Sequence, residues 1–171
     1  MALLDIVIMP HPVLKMRARD VQEDEFGEGL VNLMSDMAET MYAAPGVGLA
    51  APQVADSRRF VVVDPGTNGD RGARLFQMVN PVITSRSDET IRWRETCLSV
   101  PDLSVEVKRN KQITVEWRTP MGEPKSGEFE DYEAVIVQHE LDHLDGVVLL
   151  ERVSRFKRSR WLKRQKKLGR S

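Results

Sequence analysis

Apolar residues recur along the chain with two different periods, one typical of helices and one typical of strands. Between about residues 24 and 42 they recur every three or four positions, as Leu30, Leu33, Met34, Met37 and Met41 show, which predicts one amphipathic helix with a methionine-rich core face. Shorter stretches with the strand pattern predict strands at residues 60–63, 75–84, 91–93, 105–107, 113–117 and 127–129. Residues 119–122 predict the turn before the last strand, and residues 65–73 an exposed loop.

Residues 43–53 follow neither period, because they are small and are interrupted by prolines and glycines (Ala-Ala-Pro-Gly-Val-Gly-Leu-Ala-Ala-Pro-Gln). Such a segment lets the backbone approach a ligand or another strand closely, and a plain tight loop is an equally open interpretation. A dinucleotide-binding fingerprint is excluded because a third glycine and a preceding strand are both missing.

The composition favours a single globular domain. The 171 residues are 41% apolar and 30% charged, and a chain of this length can bury a substantial core. No apolar run approaches the roughly 18 residues of a membrane-spanning helix, and the N-terminus lacks the pattern of a signal peptide. We therefore expect a cytoplasmic protein without a membrane partner.

The net charge of −1 conceals a basic C-terminal segment. From Arg152 to Ser171 there are ten lysines or arginines and no acid, so this segment carries +10 and the rest of the chain −11. We predict a domain at residues 1–153 and a basic helix or tail at residues 154–171, with a polyanionic partner for the tail alone. We expect the tail helix to be marginal and docked by Phe156, with Trp161 as the second candidate contact.

The clearest candidate chemistry lies at residues 135–146 (Val-Ile-Val-Gln-His-Glu-Leu-Asp-His-Leu-Asp-Gly). His139 and His143 are four residues apart and therefore project from one face of a helix, where both can bind one metal ion. Glu140 follows the first histidine, where a carboxylate can act on a water activated by the ion without being a ligand itself. Gly146 is a plausible end of this helix.

A catalytic tetrahedral ion requires a third protein ligand, and the chain offers few candidates. A metzincin would have a histidine at position 149, which is Leu149, and a thermolysin-like site would require a downstream glutamate, of which only the nearby Glu151 remains. Cys97 is the single cysteine, which excludes an internal disulfide and leaves an inert thiol, a nucleophile or a ligand. Elimination favours the ligand. His11, the remaining histidine, is interpreted as a solvated or capping residue.

Three segments together resemble the motifs of peptide deformylases in order and spacing. They are residues 46–53 (Gly-Val-Gly-Leu-Ala-Ala-Pro-Gln), 95–99 (Glu-Thr-Cys-Leu-Ser) and 138–143 (Gln-His-Glu-Leu-Asp-His). The resemblance extends over nearly the whole chain. Two positions depart from the family pattern: Thr96 stands where glycine is usual, and Lys15 stands where arginine is common.

The resemblance implies an α+β fold, with antiparallel sheets around a central metal-binding helix, an N-terminal amphipathic helix and a basic C-terminal helix. It implies removal of the N-formyl group from N-formylmethionine of nascent peptides, with release of formate. One divalent ion is implied, usually Fe²⁺ and replaceable by Zn²⁺, Ni²⁺ or Co²⁺. The implied metal ligands are Cys97, His139 and His143, the implied catalytic residues Glu140, Gln53 and Leu98, and the implied substrate-binding residues Gly46, Val47, Gly48, Val135 and Ile136.

The same resemblance makes the ribosome the expected partner of the basic tail, with no specific DNA partner. Two alternatives remain open: a general metallopeptidase, and a nucleic-acid or ribosome-binding module with a structural metal. Asp142 lies three residues from His139, and Arg109 matches a family arginine; we interpret them either as support for the metal ligands or as a structural ion pair.

Overall fold

The computed structural model describes residues 2–67 and 72–169, so part of the predicted loop at residues 65–73 lies outside the described residues. Within these residues the fold is α+β, as the resemblance implied. The helices are α1 (Glu28–Ala43), α2 (Tyr132–Leu144) and α3 (Arg155–Lys167). The strands are β1 (Gly48–Ala50), β2 (Phe60–Val63), β3 (Phe76–Arg86), β4 (Thr90–Cys97), β5 (Val100–Asn110), β6 (Gln112–Arg118) and β7 (Pro124–Glu130).

The strands form two antiparallel sheets, and α2 contacts both of them. The larger sheet has the order β1-β2-β3-β6-β7, and β4 pairs with β5 in a separate hairpin. Helix α2 contacts β1, β2 and β7 of the larger sheet and β5 of the hairpin. Its apolar residues, among them Val137, Leu141 and Leu144, belong to the core cluster that includes the buried residues of β2, β6 and β7. The helix that carries the histidines is therefore held between the two sheets.

Helix α2 ends through hydrogen bonds that close its last turn. Gly146 has a φ of +76°, its N–H donates to the carbonyl oxygen of His143, and the N–H of Val147 donates to the carbonyl oxygen of Asp142 at 3.0 Å. This is the Schellman arrangement, which satisfies two carbonyl groups at the helix end. A Cβ at Gly146 would also lie 2.5 Å from the carbonyl oxygen of Lys15. The predicted helix end at this glycine is confirmed.

Two segments differ from their sequence-based predictions. Residues 24–42 were expected to form one helix, but Glu23–Glu25 form a separate 3₁₀ turn and α1 begins only after Gly27, whose φ of +133° interrupts the helical conformation. The small-residue segment at 43–53 contains β1, which pairs with β2, followed by a 3₁₀ turn at Ala51–Val54. Its small side chains therefore serve a close strand contact and not only a loop.

The tail forms the expected helix, but of the two residues expected to dock it only Trp161 does so, and the prediction for Phe156 was wrong. Phe156 is 69% exposed, whereas Trp161 is only 5% exposed, and its indole Nε1–H donates to the carbonyl oxygen of Pro101 at 2.7 Å. Trp161 belongs to a core cluster that includes Val100 and Val105 of the hairpin. Helix α3 is therefore docked on β5 by its middle and not by its first turn. Whether residues 154–171 act as a separate unit stays a prediction.

The remaining histidine, His11, has the capping role that was one of the two expected for it. His11 precedes a 3₁₀ turn at Pro12–Lys15, and its Nδ1 accepts a hydrogen bond from the N–H of Val13, so it is a capping residue. Within residues 2–67 and 72–169, no helix is both long enough and apolar enough to cross a membrane.

Candidate metal centre

Two histidines of α2 and the last residue of β4 bring three potential metal ligands together. The ligand atoms of Cys97, His139 and His143 all lie within 4.8 Å of one another, and Cys97 Sγ is 3.4 Å from His143 Nε2. Helical spacing places the two imidazoles on one face, as the sequence predicted. The end of the hairpin strand supplies the thiol. A thiolate with two imidazoles is a donor set that suits several divalent transition metals.

A buried ion-pair network fixes the orientation of His139. Glu95 Oε1 lies 2.8 Å from His139 Nδ1, so the other ring nitrogen, Nε2, is the one available to an ion. Arg109 donates two hydrogen bonds of 2.8 Å to the carboxylate of Glu95, and a third of 2.6 Å to Asp142. Carboxylates that hold a ligating histidine in this way set its tautomer and orientation. From the sequence, Arg109 and Asp142 had two open interpretations, and no role was predicted for Glu95.

The electrostatics of this network follow from its contacts. Burial acts to raise the pKa of Glu95, but the hydrogen bonds from Arg109 and His139 outweigh it and lower that pKa to about 2. The carboxylate is therefore ionised. Burial lowers the pKa of His143 well below its ordinary value, and the neighbouring His139 and Arg109 lower it further. His143 is therefore neutral, which is the form that can bind a metal.

The pKa of His139 moves in the opposite direction. Burial disfavours the imidazolium, but the hydrogen bonds to Cys97 and Glu95 raise the pKa well above its ordinary value. Because a ligating imidazole must be neutral, His139 has to release a proton when an ion binds. Metal affinity should therefore fall as the pH falls.

Glu140 lies beside the ligands without joining them. Its side chain is buried, Oε1 is 3.8 Å from His139 Nε2, and Oε2 has no hydrogen-bond partner among the described residues. Burial raises the pKa of Glu140 to about 7. A buried carboxyl with a free oxygen and a pKa near neutrality can both accept and return a proton.

The backbone of Gly48 makes room for this carboxylate. A Cβ built at Gly48 would lie 2.7 Å from Glu140 Cγ and 2.8 Å from both Cδ and Oε1. Gly46 has a similar relation to Leu98, whose Cδ1 would be 2.9 Å from the added Cβ. A Cβ at either glycine of the first motif would therefore displace a side chain that belongs to one of the other two motifs.

The Gln53 amide is oriented by its own backbone. Its Oε1 accepts a hydrogen bond of 2.9 Å from the N–H of Ala50, which turns the amide nitrogen towards the ligands. Nε2 then lies 3.1 Å from Ser99 Oγ and 3.7 Å from Cys97 Sγ. Leu98 follows Cys97 directly in the chain, so its backbone N–H lies close to the same ligand residue. Two potential donors therefore lie next to the centre.

A cavity of about 460 Å³ opens onto these groups. All five residues expected to bind substrate line it: Gly46, Val47, Gly48, Val135 and Ile136. Trp93 and Tyr132 also line it, with ring centroids 5.2 Å apart, and neither was predicted from the sequence.

Thr96, which stands where the family usually has glycine, is exposed and lines the same cavity. Its side chain therefore alters the cavity wall and not the metal ligands.

Comparison with known proteins gives one consistent result. A family model described as polypeptide deformylase matches residues 3–159. A peptide deformylase of Desulfotalea psychrophila is 44% identical over 167 residues, which is 98% of this chain and 97% of that protein. The crystal structure of a peptide deformylase from Legionella pneumophila has a TM-score of 0.88 at 36% identity and covers 99% of this chain and 96% of its own. The Met-Ala-Ser-bound class I type b peptide deformylase from Acinetobacter baumannii has a TM-score of 0.82 at 35% identity, covering 88% and 99%.

Proposed function

Since the chain belongs to the peptide deformylase family, whose members remove the N-formyl group from formylmethionyl nascent peptides, we propose that Cys97, His139 and His143 form the metal centre of this hydrolysis. Water adds to the formyl carbon, the formyl C–N bond breaks, and formate and a free N-terminus result. The observation that carries the assignment is the buried Glu140 carboxyl beside three converging ligand atoms. The proposed place of action is the cytoplasm, where nascent chains are made.

The residues around the centre have distinct proposed roles. A divalent ion bound there supplies Lewis acidity and lowers the pKa of water. Glu140 takes a proton from the attacking water and gives it to the leaving amine, a task that its pKa of about 7 suits. The Gln53 amide and the Leu98 N–H donate to the oxygen that becomes negative during attack. Glu95 and Arg109 act indirectly, by positioning His139.

The substrate would lie along the 460 Å³ cavity. Val135 and Ile136 supply apolar surface for the methionine side chain, and the backbone of residues 46–48 flanks the peptide. The related Acinetobacter structure is bound to Met-Ala-Ser, which has the free methionine terminus of a deformylated product and therefore supports a formyl-Met peptide as the substrate. Trp93 and Tyr132 extend the apolar wall at the far side.

We propose Fe²⁺ as the native ion, with Zn²⁺, Ni²⁺ or Co²⁺ able to replace it. The thiolate and imidazole ligands are compatible with each of these ions, so availability decides among them. Metal analysis of protein purified without oxygen tests this choice. Equimolar iron is the expected result, and equimolar zinc in the active, anaerobically purified enzyme would contradict it.

The decisive experiment for the function is Glu140→Ala, assayed by formate release from a formyl-Met peptide. We expect retained metal and a loss of turnover of roughly 10²- to 10⁴-fold, the usual contribution of a general acid–base group. Lost metal, or activity within a few-fold of wild type, would show that Glu140 has another role. Cleavage of unformylated peptides by the wild type would instead favour a general metallopeptidase.

The basic helix α3 is the proposed ribosome contact. Most of its lysines and arginines are exposed, and their binding to phosphates should weaken as salt rises. Removing the whole helix would also remove Trp161 from the core, so point variants are the cleaner test. Changing Lys163, Arg164 and Lys167 to glutamine should lower the salt slope of ribosome binding by about three and leave peptide turnover unchanged. Unchanged co-sedimentation would exclude this surface as the contact.

A further inference from the structure

A second concave site lies on another face of α2, away from the metal ligands. It is a groove of about 630 Å³ between α2, β3 and β5. Helix α2 contributes Gln138, Leu141 and Asp142 to it, whereas His139, Glu140 and Ile136 line the metal cavity. The two sites are therefore separated by the body of the helix. The proposed deformylation uses no part of this groove except Arg109 and Asp142.

The charge of the groove is opposite to that of the domain around it. Residues 1–151 carry a net charge of −11. Among the described residues, the groove is nevertheless lined by six cationic side chains and only three carboxylates. The cations are Arg17, Arg59, Arg86, Lys108, Arg109 and Arg152, and the carboxylates are Asp20, Asp142 and Asp145.

The carboxylates are too few to neutralise the cations, and two of them are each shared by two guanidinium groups. Asp145 Oδ1 lies 2.9 Å from Arg17 and 3.0 Å from Arg59. Asp142 Oδ2 lies 2.6 Å from Arg109 and 3.0 Å from Arg152.

Arg86 and Lys108 stand on the wall formed by the two strands, and neither has a carboxylate partner within the described chain. Arg86 donates only to the neutral Asn110 side chain, at 3.3 Å. The side chains of Arg86 and Lys108 are both exposed. Because Glu95 also pairs with Arg109, four carboxylates serve the six cations, and the groove keeps an excess of two positive charges.

We infer that this groove binds a phosphate-class anion, the terminal phosphate of a small phosphorylated molecule or inorganic phosphate itself. A phosphate presents acceptor oxygens in several directions and carries close to two negative charges, which suits guanidinium and ammonium groups that converge from different elements. A single carboxylate would neutralise only one of the two surplus charges. Asp20 lies at the rim, 3.9 Å from Arg59, with its side chain largely exposed, so it weakens the site without filling it.

The test uses the full-length, zinc-loaded protein and avoids the residues of the metal centre. Inorganic phosphate is titrated at constant ionic strength, with chloride as the replaced anion, and amide chemical shifts are followed by NMR. Saturable shifts are expected at Arg86 and at residues 107–110. The double variant Arg86→Ala/Lys108→Ala should raise the Kd about tenfold, and Asp20→Asn should lower it about threefold, because each removes one or two charges at short range.

A matched control and two further titrations complete the test. Arg92→Ala/Lys111→Ala removes one arginine and one lysine that pair with exposed glutamates outside the groove, and should leave the Kd unchanged. A phosphate monoester should shift the same amides. If a short oligoribonucleotide shifts these amides at a lower total phosphate concentration than the monoester requires, nucleic acid is identified as the source of the phosphate.

Three results would overturn the inference. The first is amide shifts that chloride reproduces. The second is a phosphate Kd that is the same in the double variant and in its control. The third is phosphate inhibition of turnover that is competitive with the formyl-Met peptide and that neither variant changes. The last result would place the anion at the metal ion. Since only the third outcome involves turnover, a failure of the proposed deformylation leaves the binding test intact.

Discussion

Substitution of Gly48 by alanine should disable catalysis through Glu140 while leaving the metal ligands untouched. Gly48 lies in β1, where it pairs with Val63, so its backbone cannot move away freely. The new Cβ would be 2.7 Å from Glu140 Cγ, whereas ordinary contacts begin near 3.4 Å. The Glu140 side chain must therefore shift by about 0.7 Å within a buried site.

The expected magnitude follows from this displacement. A misplacement of about 1 Å at a catalytic group can cost on the order of 10²-fold in rate. We therefore expect kcat to fall about 10²-fold, with unchanged metal content, because neither imidazole nor the thiol is touched. The overpacked position should also lower the free energy of unfolding by roughly 1–3 kcal/mol.

A double-mutant cycle isolates the cause. If Gly48→Ala acts through Glu140, the double variant with Glu140→Ala should be no slower than Glu140→Ala alone, and its stability should recover because the clashing atoms are gone. Gly29→Ala is the matched control, since a Cβ there meets nothing within 4 Å, and it should leave kcat unchanged. Wild-type kcat in Gly48→Ala, or additive losses in the double variant, would refute the reasoning.

Two further predictions concern the metal and the tail. Alkylation of Cys97, measured by mass spectrometry, should be slow in the metal-loaded protein and fast after chelation, because a ligated thiolate is protected; equal rates would count against the ligand role. Trp161→Ala should lower the free energy of unfolding by roughly 3–5 kcal/mol, whereas Phe156→Ala should change it by less than about 0.5 kcal/mol in chemical denaturation. Similar losses for both would mean that the helix is docked differently.

The parts of the fold with a clear period were predictable from the sequence, and the exceptions have specific causes. Strands β2 to β7 and helix α2 lie where apolar periodicity or the histidine spacing placed them, with longer strands than expected. Strand β1 was not predicted because Gly-Leu-Ala is buried on both faces and shows no alternation of apolar and polar residues. The expected docking by Phe156 was wrong because an almost uniformly basic helix gives no apolar face, so Phe156 and Trp161 could not be ranked without the surface that receives them.

The support of His139 could not be predicted from motif spacing, although one signal was present. In β5, the buried positions Val105 and Val107 are followed at the same period by Arg109, so a cation occupies a core position and requires a buried acid. Glu95 occupies such a position in β4, two residues before Cys97. The alternation suggests that both charges face inward, but only the folded hairpin shows that they meet each other and the helix.

This network also explains how a ligand from one sheet can be aligned with ligands from a helix packed on another. Among the described residues, the hairpin of β4 and β5 shares no strand ladder with the larger sheet. Arg109 of the hairpin instead contacts Asp142 of α2, and Glu95 of the hairpin contacts His139 of the same helix. Because these buried bonds fix the hairpin against α2 one turn from the ligands, the thiol of Cys97 and the two imidazoles are already aligned by protein contacts. Breaking the Arg109–Glu95 pair would therefore loosen both His139 and the strand that carries Cys97. Metal affinity should then fall while the protein is still folded.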